Sequence, residues 1–227
     1  QTVINFHDNW MEGNISTKAG GALNIEYGAA PRIESNVIVS NSIGSGMGAG
    51  LHFQSAGEAY VANNIIARNT ITSAYGTGSG VSIFLSPVKF INNTVAHNYD
   101  GGLYIVEALN SVVHNNIIAF NTNYGLEAGG ALTYTLDANF NDVFGNGTDY
   151  YLIPVGLNDI SYNPKFMMSG DMLNYYHVEP DSPVADAGFP AWAPPYDIDG
   201  LLHGAHIRMG VDEHGIQLKL FMPLVQK

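Results

Sequence analysis

Cysteine is absent from this 227-residue chain, so disulfides contribute nothing to its stability and give no hint of redox compartment. Positive charge is scarce: 8 Lys and Arg stand against 20 Asp and Glu, a formal net charge of −12. Nucleic acid and anionic membrane surfaces both need clustered Lys or Arg, so neither is an expected partner. An acidic polysaccharide would be repelled on average, and only a local basic patch would hold one. No apolar run is long enough to span a membrane, and helical periodicity is sparse. A secretory signal is also missing at Gln1, where repeat-like sequence begins at once, so the expectation is a mature or trimmed chain. The length allows one large core or two modest domains.

What the chain does have is a repeat. Six times an Asn is followed five residues later by another: Asn9/Asn14, Asn36/Asn41, Asn64/Asn69, Asn93/Asn98, Asn116/Asn121 and Asn141/Asn146. The leading Asn residues lie 27, 28, 29, 23 and 25 positions apart, a period that marks a solenoid. Three positions before each leading Asn stand Phe6, Ile33, Val61, Phe90, Val113 and Ala138; two positions after it stand Met11, Ile38, Ile66, Val95, Ile118 and Val143. The residues beside the second column vary freely: Trp10, Val37, Ile65, Thr94, Ile117 and Asp142. This alternation has the strand period of two. The two apolar columns are an odd number of residues apart, so a straight strand would point them to opposite faces. The spacing therefore predicts a turn at the Asn, whose short amide tolerates the left-handed conformation and bonds to nearby backbone.

A third strand follows a Gly-rich turn, at Ala22-Leu23-Asn24-Ile25, Gly50-Leu51-His52-Phe53, Gly80-Val81-Ser82-Ile83, Gly102-Leu103-Tyr104-Ile105 and Ala131-Leu132-Thr133-Tyr134. Its second and fourth positions are apolar and its third is Asn, His, Ser, Tyr or Thr, as an outward row requires. A small residue comes first, where the backbone packs closely. Three short strands per repeat, each with one inward stripe, describe an all-β coil wound about an apolar core in about six coils. Stacked coils place the Asn residues above one another, where their amides bond along the axis as ladders.

The pattern resembles the right-handed parallel β-helix of the pectate-lyase-like superfamily over about residues 1–150. That resemblance implies polysaccharide-active relatives that work along an exposed groove. A Ca²⁺-dependent lyase would need clustered carboxylates and an Arg or Lys base, and a hydrolase two or three carboxylates at defined separations. In the outward row no two carboxylates stack on neighbouring coils. His52 and Tyr104 are the candidate base and acid of a metal-free lyase, about 10 Å apart if one coil intervenes at the ladder spacing. Asn24, His52, Ser82, Phe84 and Tyr104 are the candidate glycan-binding set, with the aromatic rings available for stacking on sugars. Arg68 and His97 occupy equivalent positions on adjacent coils and form a candidate polar patch, or simply solvated surface.

After Asn146 the repeat stops, and aromatics and Pro accumulate. A solenoid end exposes strand edges and apolar side chains, so residues 151–215 are expected to form a C-terminal cap. Asn163-Pro164-Lys165-Phe166, Ser182-Pro183-Val184-Ala185-Asp186-Ala187-Gly188, Asp197-Ile198-Asp199-Gly200 and Gly210-Val211-Asp212-Glu213 occur in that order. The run is similar to the endings of choice-of-anchor-type exported bacterial β-helix proteins, although His203 stands where that pattern has Arg. The resemblance implies an extracellular or cell-surface protein and specifies no activity. Asp197, Asp199, Asp212 and Glu213 are candidate Ca²⁺ ligands, since oxygen-rich turns of this kind hold that ion; Asx-turn capping is the alternative.

Two ends of the chain suggest assembly. Val3, Ile4 and Phe6 are already in register with no amphipathic helix over them, and Ile216, Leu218 and Leu220 alternate with polar neighbours as a terminal strand over 216–227. An open coil and a spare strand would make head-to-tail contacts between copies. A missing preceding segment would explain the open end equally well. The residues thus favour a structural or interaction protein that self-associates over an enzyme, with a polysaccharide lyase or hydrolase, or a glycan-binding module, as the alternatives.

Overall fold

A computed structural model of the chain describes residues 4–73, 77–130, 136–204 and 207–212. Three six-stranded parallel sheets run the length of the repeat region. The first holds Asn5–His7, Arg32–Glu34, Ala59–Ala62, Val88–Ile91, Ser111–His114 and Leu136–Asn139. The second holds Trp10–Glu12, Val37–Val39, Ile65–Ala67, Thr94–Ala96, Ile117–Ala119 and Asp142–Phe144. The third holds Leu23–Glu26, Leu51–Gln54, Val81–Phe84, Gly101–Val106, Tyr124–Ala128 and Thr148–Tyr151. Each strand pairs with its equivalent one coil away, so every column of the repeat becomes a row across a sheet. A short fourth sheet, Ile15–Ser16, Ser42–Ile43 and Thr70–Ile71, occupies the longer corners of the first three coils. No helix among the described residues is long and apolar enough to cross a membrane.

Both predicted apolar columns face the same interior. Ile33, Val61, Phe90 and Val113 meet Ile38, Ile66, Val95 and Ile118 there, together with Phe53, Ile83, Ile105 and Leu126 of the third sheet. The bend between the columns differs from the expected one. The ladder Asn residues are not left-handed; the residue before each of them is. Asp8, Ser35, Asn63, Asn92, Asn115 and Phe140 have φ between +52° and +59°, and Gly13, Ser40, Arg68, His97, Phe120 and Gly145 between +55° and +66°. That reversal swings the following Asn inward, where its amide holds the turn from inside. Asn64 is typical: its Nδ2 donates to Ala62 O at 2.9 Å, to Ile33 O at 2.8 Å and to Asn93 Oδ1 at 2.9 Å. Its own Oδ1 accepts from Asn36 N and Nδ2 at 3.0 and 2.9 Å. The strain of a non-Gly left-handed residue is offset by a buried amide with its bonds satisfied.

The ladders end on carboxylates. Asp159 Oδ1 accepts from Asn141 N and Nδ2 at 2.8 and 3.3 Å, and Asp149 Oδ1 accepts from Asn146 N and Nδ2 at 3.0 and 2.9 Å. A last rung needs an acceptor only, since no further coil offers an acceptor to a donor. Ile160 bridges to Asp142, and Ile153 joins the core, so the stretch from Asp149 to Tyr162 closes the coil.

Residues 163–204 and 207–212 do something else. They lie as a flap against the outer face of the second sheet. The column beside Met11 and its equivalents therefore does not face solvent along most of its length: Val37, Ile65 and Ile117 are buried against Phe166, Tyr176, Val178, Val184, Met209 and Val211. Each such side chain taken from water is worth about 2 kcal/mol, so the flap is integral to the fold. The left-handed residues also anchor it. Asn63 Nδ2 donates to Tyr196 O, and Asn92 Nδ2 to Arg208 O and Gly210 O at 3.1 and 3.2 Å. Asn115 donates to Phe189 O at 3.0 Å and accepts from Phe189 N at 2.7 Å. In the doubled Asn of these coils, the first clamps the flap and the second builds the ladder.

Candidate functional site

The outer face of the third sheet carries a row of chemistry-bearing side chains. The parallel register aligns Asn24, His52, Ser82, Tyr104, Glu127 and Tyr151 on successive coils. A flanking row places Glu26, Gln54, Phe84 and Val106 beside it. The expected residues Asn24, His52, Ser82, Phe84 and Tyr104 are thus brought together on one face. Glu127 is an addition that the sequence did not single out. The fifth strand was expected at residues 131–134, but it runs over Tyr124–Ala128; Thr133 lies outside the described residues. The distance from trailing Asn to strand shortens from about ten residues in the early coils to five at Leu103 and Leu126, and Gly125-Leu126-Glu127-Ala128 fits the strand pattern as well as the later segment does.

The row points outward, yet His52 and Ser82 are buried. The cause is the glycine column just before the strand. Gly20, Gly48 and Gly78 have φ of +59°, +66° and +59°. A Cβ on Gly20 would meet Asn24 Cβ at 2.6 Å, on Gly48 His52 Cα at 3.0 Å, and on Gly78 Tyr104 Cβ at 2.6 Å. Only a residue without a side chain lets the corner loop curl over the row. The result is a walled groove, whose first two coils border an open pocket of about 420 Å³ lined by Thr17, Lys18, Asn24, Glu26, Met47, His52 and Gln54. At the other end, a Cβ on Gly129 would collide with the Tyr104 hydroxyl, so Gly129 keeps the room that ring occupies.

Lys18 and Glu26 bring opposite charges to the groove, and burial shifts three other groups of the row. Burial pushes the His52 ring down, against a hydrogen bond with Gln54 and the charge of Glu26. Burial pushes Glu127 up to about 7. The Tyr104 phenol is raised by burial and by Glu127, with Thr77 opposing. A neutral imidazole, a carboxyl whose ionisation burial disfavours and a phenol offer hydrogen bonds with little fixed charge. His52 Nδ1 and Ser82 Oγ, on adjacent coils, are buried and have no hydrogen-bond partner among the described residues.

The other expected residues go to different places. Arg68 and His97 lie under the flap, where Arg68 sits 4.8 Å over the Tyr175 ring and His97 stacks on Phe120 at 5.2 Å. Tyr176 Oη and His97 Nδ1 are 3.3 Å apart, and a cavity of about 540 Å³ opens beside them between Phe120, Phe166 and Met168. Of the candidate metal ligands, Asp197 Oδ1 is occupied by a turn, accepting from Asp199 N and Leu201 N at 2.9 and 2.8 Å. Asp199 and Asp212 do approach one another, and His177, which the sequence did not single out, stands with them. Glu213 lies outside the described residues, as do the assembly candidates Val3, Ile216, Leu218 and Leu220. Ile4 is exposed on the first coil and Phe6 is half-buried against the core.

A family model described as a right handed beta helix region matches residues 2–163. No curated protein and no solved structure matches the chain.

Proposed function

We propose that this chain, which belongs to the right handed beta helix family, binds a linear glycan along the walled outer face of its third sheet. The observation that carries this reading is the in-register row from Asn24 to Tyr151. Ladder steps of about 4.8 Å give the row a length of about 24 Å, which suits an extended polymer better than a compact ligand. Neutral donors and acceptors match sugar hydroxyls, and Phe84, Tyr104 and Tyr151 supply the aromatic surface on which sugar rings stack.

Geometry favours binding over turnover. Paired catalytic carboxylates in glycoside hydrolysis stand about 5–10 Å apart. Glu26 and Glu127 are four ladder steps apart along the sheet, about 19 Å. His52 and Tyr104, the candidate lyase pair, are separated by the coil of Ser82, about 10 Å. An exported or cell-surface setting belongs to the same proposal and rests on the resemblance of the chain's ending.

Calorimetry against a panel of neutral and uronic-acid polysaccharides tests the reading. Saturable binding that weakens at least tenfold in Tyr104→Ala, with an unchanged circular dichroism spectrum, supports it. Absence of binding across the panel, or binding indifferent to Tyr104→Ala and His52→Ala, overturns it. New reducing ends or unsaturated products during the titration would instead identify a hydrolase or a lyase.

Head-to-tail self-association is the second reading. It is favoured by the first coil, where Ile4, Trp10 and Ile15 are 45 %, 49 % and 84 % exposed. The strands of that coil pair on one side only among the described residues. A preceding segment of the same chain would cover this face as well as a second copy would, which is why the groove ranks first. Light scattering over a concentration series separates the two readings.

A further inference from the structure

The flap brings His177, Asp199 and Asp212 together from three separate segments, with one ligand-type atom from each within 4.8 Å of the others. The His177 side chain is only 2 % exposed, and among the described residues neither ring nitrogen makes a hydrogen bond. Its Nε2 stands 3.4 Å from Asp199 Oδ2, too long for a good hydrogen bond. Two ligands held about 2.0–2.1 Å from a tetrahedral ion are themselves about 3.4 Å apart. The neighbourhood also has the right charge. Asp197, Asp199 and Asp212 are formally three negative charges; burial acts on Asp212 first, then His177, then the Arg208 cation and Asp197. An imidazole must be neutral to ligate a metal, and on that condition Asp197, Asp199, Asp212 and Arg208 sum formally to −2, the complement of a divalent cation.

We propose that His177, Asp199 and Asp212 form a site for a divalent first-row transition metal of the zinc type, which fastens the flap together. An imidazole nitrogen among the ligands argues for zinc over calcium, because calcium takes oxygen donors and imidazole suits zinc and its neighbours. The proposal differs from the Ca²⁺ expectation in both metal and ligand set: Asp197 Oδ1 is engaged in its turn, and a histidine takes part. The three ligands lie about twenty and a dozen residues apart, so an ion would close two loops of the flap at once, in the manner of a structural staple. Two segments meet at the site already: Val178 N donates to Asp212 Oδ2 at 3.3 Å, holding that carboxylate beside His177.

The test uses the full chain, stripped with a chelator and titrated with Zn²⁺, Co²⁺ and Ca²⁺. The expected result is one Zn²⁺ per chain by elemental analysis and a melting temperature raised by roughly 5–10 °C at a hundredfold excess over Kd. Co²⁺ should bind with visible d–d bands of a nitrogen–oxygen site. His177→Ala should lower Zn²⁺ affinity at least tenfold, and Asp199→Asn, a conservative change at the rim of the cluster, should do the same if the first variant fails to fold. Absence of stoichiometric Zn²⁺ or Co²⁺ binding, a response to Ca²⁺ alone, or undiminished Zn²⁺ binding by either folded variant overturns the proposal.

Discussion

Removing a central rung of the leading Asn ladder is the sharpest test of what holds the coils together. Asn93 is fully buried. Its Oδ1 accepts from Asn64 N and Nδ2 at 3.0 and 2.9 Å, and its Nδ2 donates to Val61 O, Ile91 O and Asn116 Oδ1 at 3.0, 3.1 and 3.2 Å. Asn93→Ala deletes all five contacts and strands their partners in a dry interior. At about 1 kcal/mol for each bond lost, and more for each buried group left unsatisfied, the cost is roughly 5 kcal/mol. Asn14→Ala on the exposed first coil is the control. Its side chain makes one ladder bond, to Asn41 Oδ1 at 2.8 Å, so its loss should cost about 1 kcal/mol. Domains of this size have only about 5–15 kcal/mol in hand, so the central variant should sit near its unfolding threshold while the control melts almost normally. Urea unfolding followed by far-ultraviolet circular dichroism measures the difference. Equal shifts of the two midpoints would refute the idea that buried amide stacking, as distinct from apolar packing, contributes substantially to the solenoid.

Three other outcomes are expected. Asp142 is buried beneath the flap side of the second sheet, and burial lifts its carboxyl to about 7. Its contribution to stability is complete below the ordinary value of 3.8 and is lost as pH rises through 7, by at most about 4 kcal/mol. The melting temperature of the native chain should therefore fall between pH 4 and 8 more steeply than that of Asp142→Asn, and parallel curves would contradict this. Asn115→Ala removes both bonds to Phe189 and puts alanine at φ +59°, which should free the flap locally. Proteolysis near Phe189 should accelerate about tenfold or more, with core amide exchange unchanged; equal rates would show that the apolar contacts alone seat the flap. Gly129→Ala forces the Tyr104 hydroxyl aside, so glycan binding should weaken by about tenfold with little change in melting; binding at the native strength would remove Tyr104 from the site.

Much of this was legible from residue spacing. The Asn repeat and its two apolar columns define strands, their register and the core they share, because in a solenoid each coil repeats the environment of the last. The outward row from Asn24 to Tyr104 followed from the same periodicity. Glu127 did not, because Leu126 and Leu132 satisfy one pattern equally well and only the paired backbone of neighbouring coils chooses between them. The left-handed residue was misplaced by one position, since Asn is a natural guess for φ above zero while the ladder needed that amide for its hydrogen bonds. Val37, Ile65 and Ile117 gave a missed signal: three apolar residues in an outward column imply something lying over them.

By itself, then, the sequence determined what repeats: coil length, inward stripes, stacked amides and an all-β solenoid. These depend on interactions between equivalent residues at a near-constant interval, which a linear pattern records. Only the tertiary structure decided what does not repeat. The flap folds along the side of the coil, Asp149 and Asp159 finish the two ladders, and His177 meets Asp199 and Asp212. Such contacts join segments of unlike sequence at arbitrary separations, and their partners are selected by packing volume and by the pairing of buried polar groups, neither of which leaves a period to read.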